Sequence, residues 1–409
     1  MKAGPTDLAH APAAVLVALI PMPALLPRHR TTVADYSDER RRARLRQTRT
    51  GHHWVRFGRT RRVLVWLAVW VLVPVLCAGS VYWMHDVLPQ QVRLATTQPQ
   101  IHPVYDAQRS SERDTAVVEL VGLGHLDATR TAISLPTLSR IGQVWAVRYD
   151  NSGIDTKVIS NLITTHARDR DVGSVVVSGH SMGGVIALEV AEHLYRDTDL
   201  AVDAVILDCT PLDLHAVRAQ SRDAGEDLLR WIGWIPGARE SRVLRLFVEV
   251  AARQHRFVDP STWYPRIDPS ELREVIGEVL REKILSRRAA SNGLIESQFR
   301  VIVASGAIDN LDALADPRER KPRPAIVFLR PRVAAADRVV DVDYSQRILI
   351  DHSGGPEGTL LVVKLDGTGH ANPNQHPVTY NDAIADRIVP FLRSTTDAQT
   401  PPSAAVGEP

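Results

Sequence analysis

Residues 174–190 read SVVVSGHSMGGVIALEV, a β-branched run that turns into an apolar helical pattern with no conventional loop between them. Three valines and two serines suit a buried strand, whereas Val185, Ile186, Leu188 and Val190, among alanine and glutamate, suit a helix. Only a tight reversal joins two such elements, and the glycines at 179, 183 and 184 are what such a reversal needs where backbone meets backbone. The chain is thereby restricted to folds in which a strand feeds a helix directly.

The surrounding sequence extends that restriction. Near-continuous apolar runs recur at residues 116–121, 143–148, 174–178, 204–207, 325–329 and 359–364, separated by helical patterns. Strands buried on both faces belong to parallel sheets with helices on either side, so the expected class is α/β. Glu119 fits poorly in its run and needs either an edge position or a partner. About 110 residues, 213–323, separate two of the runs, far more than one crossover requires. They contain the periodic stretch 271–285 and are read as a mainly helical cap over the carboxyl edge of the sheet, where open α/β sheets bind ligands. Within it, LLRWIGWI at 228–235 is read as cap core or as a flap facing substrate or membrane.

Charge divides the chain in two. Residues 1–62 carry one Lys and twelve Arg against four acids, a net +9, which leaves −7 for the rest of a chain whose total is +2. A basic tail on an acidic body is not the footprint of a nucleic-acid-binding domain. Residues 63–84 follow without a charge, and at about 1.5 Å per residue they span roughly the 30 Å of a hydrocarbon core. Trp66, Tyr82 and Trp83 stand near the ends, where aromatic belts form. Seven Arg at 43–62 against Arg93 alone at 85–104 place the N-terminus in the cytoplasm and everything beyond Met84 outside the cytoplasmic membrane. The organisation expected is a flexible basic tail (1–62), a transmembrane helix (63–84), a linker (85–112), the α/β domain (113–393) and a disordered polar tail (394–409). The shorter apolar run 15–20 is too brief and proline-broken to span. Cys77 and Cys209, the two cysteines, offer no disulfide framework.

Strand, Gly-x-Ser-x-Gly and helix in succession form a nucleophile elbow, with Ser181 at the strained apex. With this context the sequence resembles the α/β-hydrolase superfamily over residues 113–393, in particular esterases and lysophospholipase-like members with the GHSMGG form. The resemblance implies a chain order of Ser, acid, His. Ser181 takes the place of the nucleophile, and His370, in GTGHA at 367–371 directly after the last strand, that of the base. His352 and His376 fit less well, and His180 is expected to pack without doing chemistry. DRVVDVDYS at 337–345 places Asp337 at the acid position, with Asp341 and Asp208 as rivals. Two backbone N–H groups are implied for an oxyanion hole, from Met182 and from Leu123 in the VGLGH loop at 121–125.

Gly122-Leu-Gly124 is not a dinucleotide fingerprint, because Asp127 occupies the third glycine's place. HExxH, paired CxxC and P-loop patterns do not occur, so neither a cofactor nor a metal is expected. The resemblance implies a serine hydrolase acting on an ester or thioester, small or lipid-like, through an acyl-enzyme, and the apolar run 63–84 adds the membrane anchor. An acyltransferase with the same triad and a non-catalytic anchored scaffold are the competing classes.

Overall fold

The computed structural model describes residues 42–44, 48, 58–259, 266–286, 288–316, 321–354 and 359–399. Most of the basic tail, the run at 15–20 and residues 400–409 lie outside them. The chain divides into two units, one ending at Leu76 and one beginning at Cys77. Helix α1 (Gly58–Tyr82) contains Pro74 and continues through a π-turn (Trp83–Val87) into Leu88–Leu94. The apolar stretch Thr60–Leu94 is long and apolar enough to cross a membrane, and none of its most apolar window is covered by other parts of the chain.

The second unit is built on a seven-stranded sheet. Its strands are β1 (Gln100–Tyr105), β2 (Thr115–Leu120), β3 (Gln143–Arg148), β4 (Ser174–His180), β5 (Ala201–Asp208), β6 (Ala325–Pro331) and β7 (Leu360–Leu365). Their spatial order is β1-β3-β2-β4-β5-β6-β7, parallel except for β1, which runs antiparallel to β3. Helix α3 (Met182–Asp197) packs on the central strands β4 and β5 and buries twelve residues, and α2 (Thr156–Asp169) packs against α3 and β1. Every side chain of β6 is buried, as expected of an interior parallel strand, and burial of each large aliphatic side chain contributes about 1.5–3 kcal/mol.

Two boundaries differ from the sequence reading. The segment 85–112, expected as a linker, holds the turn Leu88–Leu94 and the whole of β1. QIHPVY lacks the apolar signature of the inner strands because it is an edge strand, where Pro103 leaves no ladder donor unpaired and a register shift follows it. The tail from 394 is not structureless as far as Gln399, since the last helix, Val389–Gln399, continues past Arg393.

The insertion at 213–323 is two things rather than one cap. Helices α4 (Ala219–Trp234), α5 (Arg242–Ala252) and α6 (Pro269–Val279) are followed by α7 (Asn292–Val303) and α8 (Ala307–Ala315). Leu294, Phe299, Ile302, Leu311 and Leu314 belong to the main core, with α7 and α8 seated on α3. The distal part has a small core of its own, Phe257, Val275, Val279 and Ile284, against which Leu246 and Val250 of α5 pack. Helical periodicity is the same in both halves, so nothing local distinguishes a helix facing the sheet from one facing the cap. The root of the cap is stitched to the segment after β6: Asp341 N–H donates to Ala216 O, Arg218 N–H to Val339 O, and the Arg218 guanidinium to the carbonyls of Asp337 and Ala334.

Candidate active site

Ser181 sits between β4 and α3 with φ 55° and ψ −125°, a left-handed conformation that costs a non-glycine residue about 1–3 kcal/mol. The turn is pinned on both sides, by Ser181 N–H donating to Asp208 O at 2.7 Å and Gly184 N–H donating to Ser181 O at 2.9 Å. A Cβ on Gly179 would lie 2.2 Å from the Gly183 carbonyl oxygen, so only glycine lets the strand and helix cross this closely.

The three strand ends that the sequence singled out converge. His370, in the loop after β7, shares a hydrogen bond of 2.8 Å between its Nε2 and Ser181 Oγ, and its Nδ1 lies 2.9 Å from Asp337 Oδ2. Asp337 follows β6 and is fully buried. Its second oxygen accepts from the N–H groups of Val340 at 2.8 Å and Val339 at 2.9 Å. Burial alone would raise this carboxyl's pKa, but the His370 hydrogen bond and charge, with the two backbone donors, bring it below the ordinary value. The rival carboxylates are engaged elsewhere. Asp341 caps helix α9 (Val342–His352) through Tyr344 N–H, and Asp208 receives His180 and Tyr380. His352 pairs with Asp312 at 2.9 Å, and His376 stands at the N-terminus of Pro377–Ala383.

Below the serine lies a buried charged group. His180 Nδ1 reaches Asp208 Oδ2 at 2.8 Å, His180 Nε2 reaches Glu119 Oε2 at 2.9 Å, and Tyr380 OH donates to Asp208. Desolvation would lower the imidazole's pKa, but the two carboxylate hydrogen bonds outweigh it and raise the value to about 10, which favours the protonated imidazole between Asp208 and Glu119. Glu119, which fitted so poorly in its strand, is the counterion of a residue 61 positions later. His180 therefore does more than pack.

Met182 opens α3, where a helix's first N–H groups have no intrahelical acceptor. The Gly122 loop lies against the elbow: a Cβ on Gly122 would fall 2.9 Å from His180 O and 3.2 Å from Ser181 Cβ. Gln298 of α7 holds this loop, accepting from Gly124 N–H and donating to His125 O, both at 2.8 Å. Sequence reasoning passed over Gln298. The available signal was a fully buried amide on the same helical face as Leu294, Phe299 and Ile302. His125 lines the cavity at its open side.

Ser181 and His370 open on a cavity of about 350 Å³, within the range of small-molecule sites. Pro211, Val217, Phe299, Ile302 and Val339 make it largely apolar, and among the described residues the cap reaches it through the first turn of α4, at Ser221. Among the described residues, Cys209, Asp337 and His370 bring a thiol, a carboxylate oxygen and an imidazole nitrogen within 4.8 Å of one another. An ion there would have to take His370 from Asp337. It would also have to deprotonate a thiol whose pKa burial pushes well above the usual value.

A family model described as "Alpha/beta hydrolase family" matches residues 146–383, more than half of the chain, starting inside β3 and so after the Gly122 loop. Among solved structures, a carboxylesterase of the thaumarchaeon Nitrososphaera gargenis is similar at 13% identity, covering 73% of this chain and 96% of that one, with a TM-score of 0.45. A monoacylglycerol lipase of Paleococcus ferrophilus is similar at 15% identity, 73% and 99% coverage and a TM-score of 0.43. An esterase of Exiguobacterium antarcticum gives 15%, 73%, 96% and 0.44. A comparison with curated proteins returned no match.

Proposed function

Because this chain belongs to the alpha/beta hydrolase family, we propose that it is a serine hydrolase that cleaves a carboxylic ester or thioester and is anchored in the cytoplasmic membrane by α1. The observation that carries the reading is the unbroken hydrogen-bonded line Ser181–His370–Asp337, opening on an apolar cavity. Ser181 Oγ attacks the acyl carbonyl while His370 Nε2 accepts its proton, and the same nitrogen returns that proton to the departing alcohol or thiol. Asp337 keeps the Nδ1 proton of His370 in place and stabilises the imidazolium formed during transfer. The tetrahedral oxyanion is received by the N–H of Met182 and by that of Leu123 in the loop held by Gln298. Water, activated by His370, then attacks the acyl-enzyme, releases the acid and regenerates Ser181.

The apolar character of Thr60–Leu94 supports the anchor, and the arginine excess before it supports a catalytic domain outside the membrane. The test of the chemistry is labelling by a fluorophosphonate probe together with hydrolysis of short acyl esters. Wild-type protein should be labelled at Ser181 and be active, whereas Ser181→Ala should lose both. Hydrolysis undiminished in Ser181→Ala would remove the assignment.

A further inference from the structure

Helix α5 carries one broad apolar arc, of which only one edge is covered. Leu246 and Val250 turn inward to the small cap core, whereas Val243 (46% exposed) and Phe247 (67% exposed), four residues apart, face outward with Ala251 one turn further on. An outward stripe of this kind at i, i+4 and i+8 has no role in folding the cap. Its position gives the reason for it. The N-terminus of α5 is capped by Asp86, from the π-turn that ends α1: Asp86 accepts from Ser241 Oγ and from the N–H groups of Arg242 at 3.0 Å and Val243 at 3.2 Å. Tyr82 OH donates to Pro236 O, and fully buried Val87 packs where Gly237 has no side chain. The exit of the apolar helix is thus hydrogen-bonded into the cap, at the point where the outward stripe begins. Around it Met84, Leu88, Val92 and Trp234, the last 81% exposed, present further apolar surface.

We propose that this face, the outer side of α5 with Trp234 and the turn Leu88–Leu94, lies in the headgroup region of the lipid bilayer that α1 crosses. The proposal rests on the reading of α1 as a membrane span. An amphipathic helix in that position buries its apolar face about 5–10 Å into the interface. One helix then joins lipid to the cavity, since α4 lines the cavity wall with its first turn at Ser221 and ends at Trp234. The substrate class that this arrangement suits is an acyl ester resident in the membrane.

The experiment uses the full chain reconstituted into vesicles of phosphatidylcholine and phosphatidylglycerol. Phe247→Cys in a Cys77→Ser background carries a nitrobenzoxadiazole label, with buried Cys209 protected by the fold. Ile350→Cys, exposed on the core, serves as the reference site. Lipids bearing a nitroxide at the headgroup should remove about half of the fluorescence at position 247 and little at position 350. Quenching at 247 by aqueous iodide alone, in protein that still floats with vesicles and resists alkaline extraction, overturns the proposal and leaves the anchor intact. Failure to float overturns the anchor reading and the proposal with it. Quenching that scales with protein density rather than nitroxide assigns the face to a second copy and overturns it as well. Independently, Phe247→Asp should hydrolyse a soluble short ester at the wild-type rate and a vesicle-borne long-chain ester roughly tenfold more slowly.

Discussion

Glu119 and His180 form a buried ion pair, 2.9 Å between Oε2 and Nε2, on adjacent strands directly beneath Ser181. With Asp208 on the other ring nitrogen, His180 ties β2, β4 and β5 together at the sheet edge from which the Ser181, Asp337 and His370 segments leave. The elbow is thereby set on a charged floor where most sheets would have hydrocarbon.

Stability should accordingly depend on pH in a definite direction. The His180 pKa is raised from 6.5 to about 10 in the fold, so its contribution is complete below 6.5 and declines as pH rises toward 10. Cys209 and the tyrosines of the core add their own alkaline losses only above their unfolded values, which begin at 9.0. Between pH 6.5 and 9 the melting temperature of wild-type protein should fall, and that of Glu119→Gln should fall less. His180→Leu, which strands two buried carboxylates, should lose about 3–5 kcal/mol in denaturant unfolding near neutral pH.

Asp337→Asn keeps the shape of the side chain and removes the charge that orients His370. A drop in kcat of about 10⁴, with KM nearly unchanged, is expected from steady-state hydrolysis of a short ester. Asp341→Asn, altering only a helix cap, should stay within about threefold of wild type. A large loss in Asp341→Asn with little change in Asp337→Asn would exchange the roles assigned to these carboxylates.

Gln298 touches none of the reacting atoms, yet it fixes the backbone of Gly124 and His125 beside the elbow. Gln298→Leu should lower kcat roughly 10- to 100-fold by loosening the oxyanion loop, while Gln298→Glu, which keeps one acceptor, should retain more activity. Fluorophosphonate labelling of Ser181 should persist in both. Full activity in Gln298→Leu would show that the loop holds itself.

Gly179 tests the crossing of β4 and α3. Gly179→Ala drives a methyl group into the Gly183 carbonyl and should destabilise the domain by about 3 kcal/mol or more, read as a shift in the denaturant midpoint.

Ser181, His370 and Asp337 were legible in the sequence because each follows a strand of strong apolar signature, and a parallel sheet delivers such strand ends to one edge. What the sequence concealed was pairing at a distance. Glu119 looked anomalous in its own strand, and its partner lies on another element. Gln298 looked like an ordinary polar interruption of a helical face until the loop it holds was placed beside it. The strand β1 escaped notice for the opposite reason, since an edge position tolerates the proline and polar residues that disguise it. The split of the insertion between core and cap depends on which helices meet α3, and periodicity carries no such address.

The outermost strands of the sheet carry a further consequence. At one margin Pro103 withholds a donor and the register slips beside it, while at the other Lys364 projects a charge from β7. Neither border offers a straight ladder to a neighbour, so crowded copies would not zip edge to edge into a shared sheet.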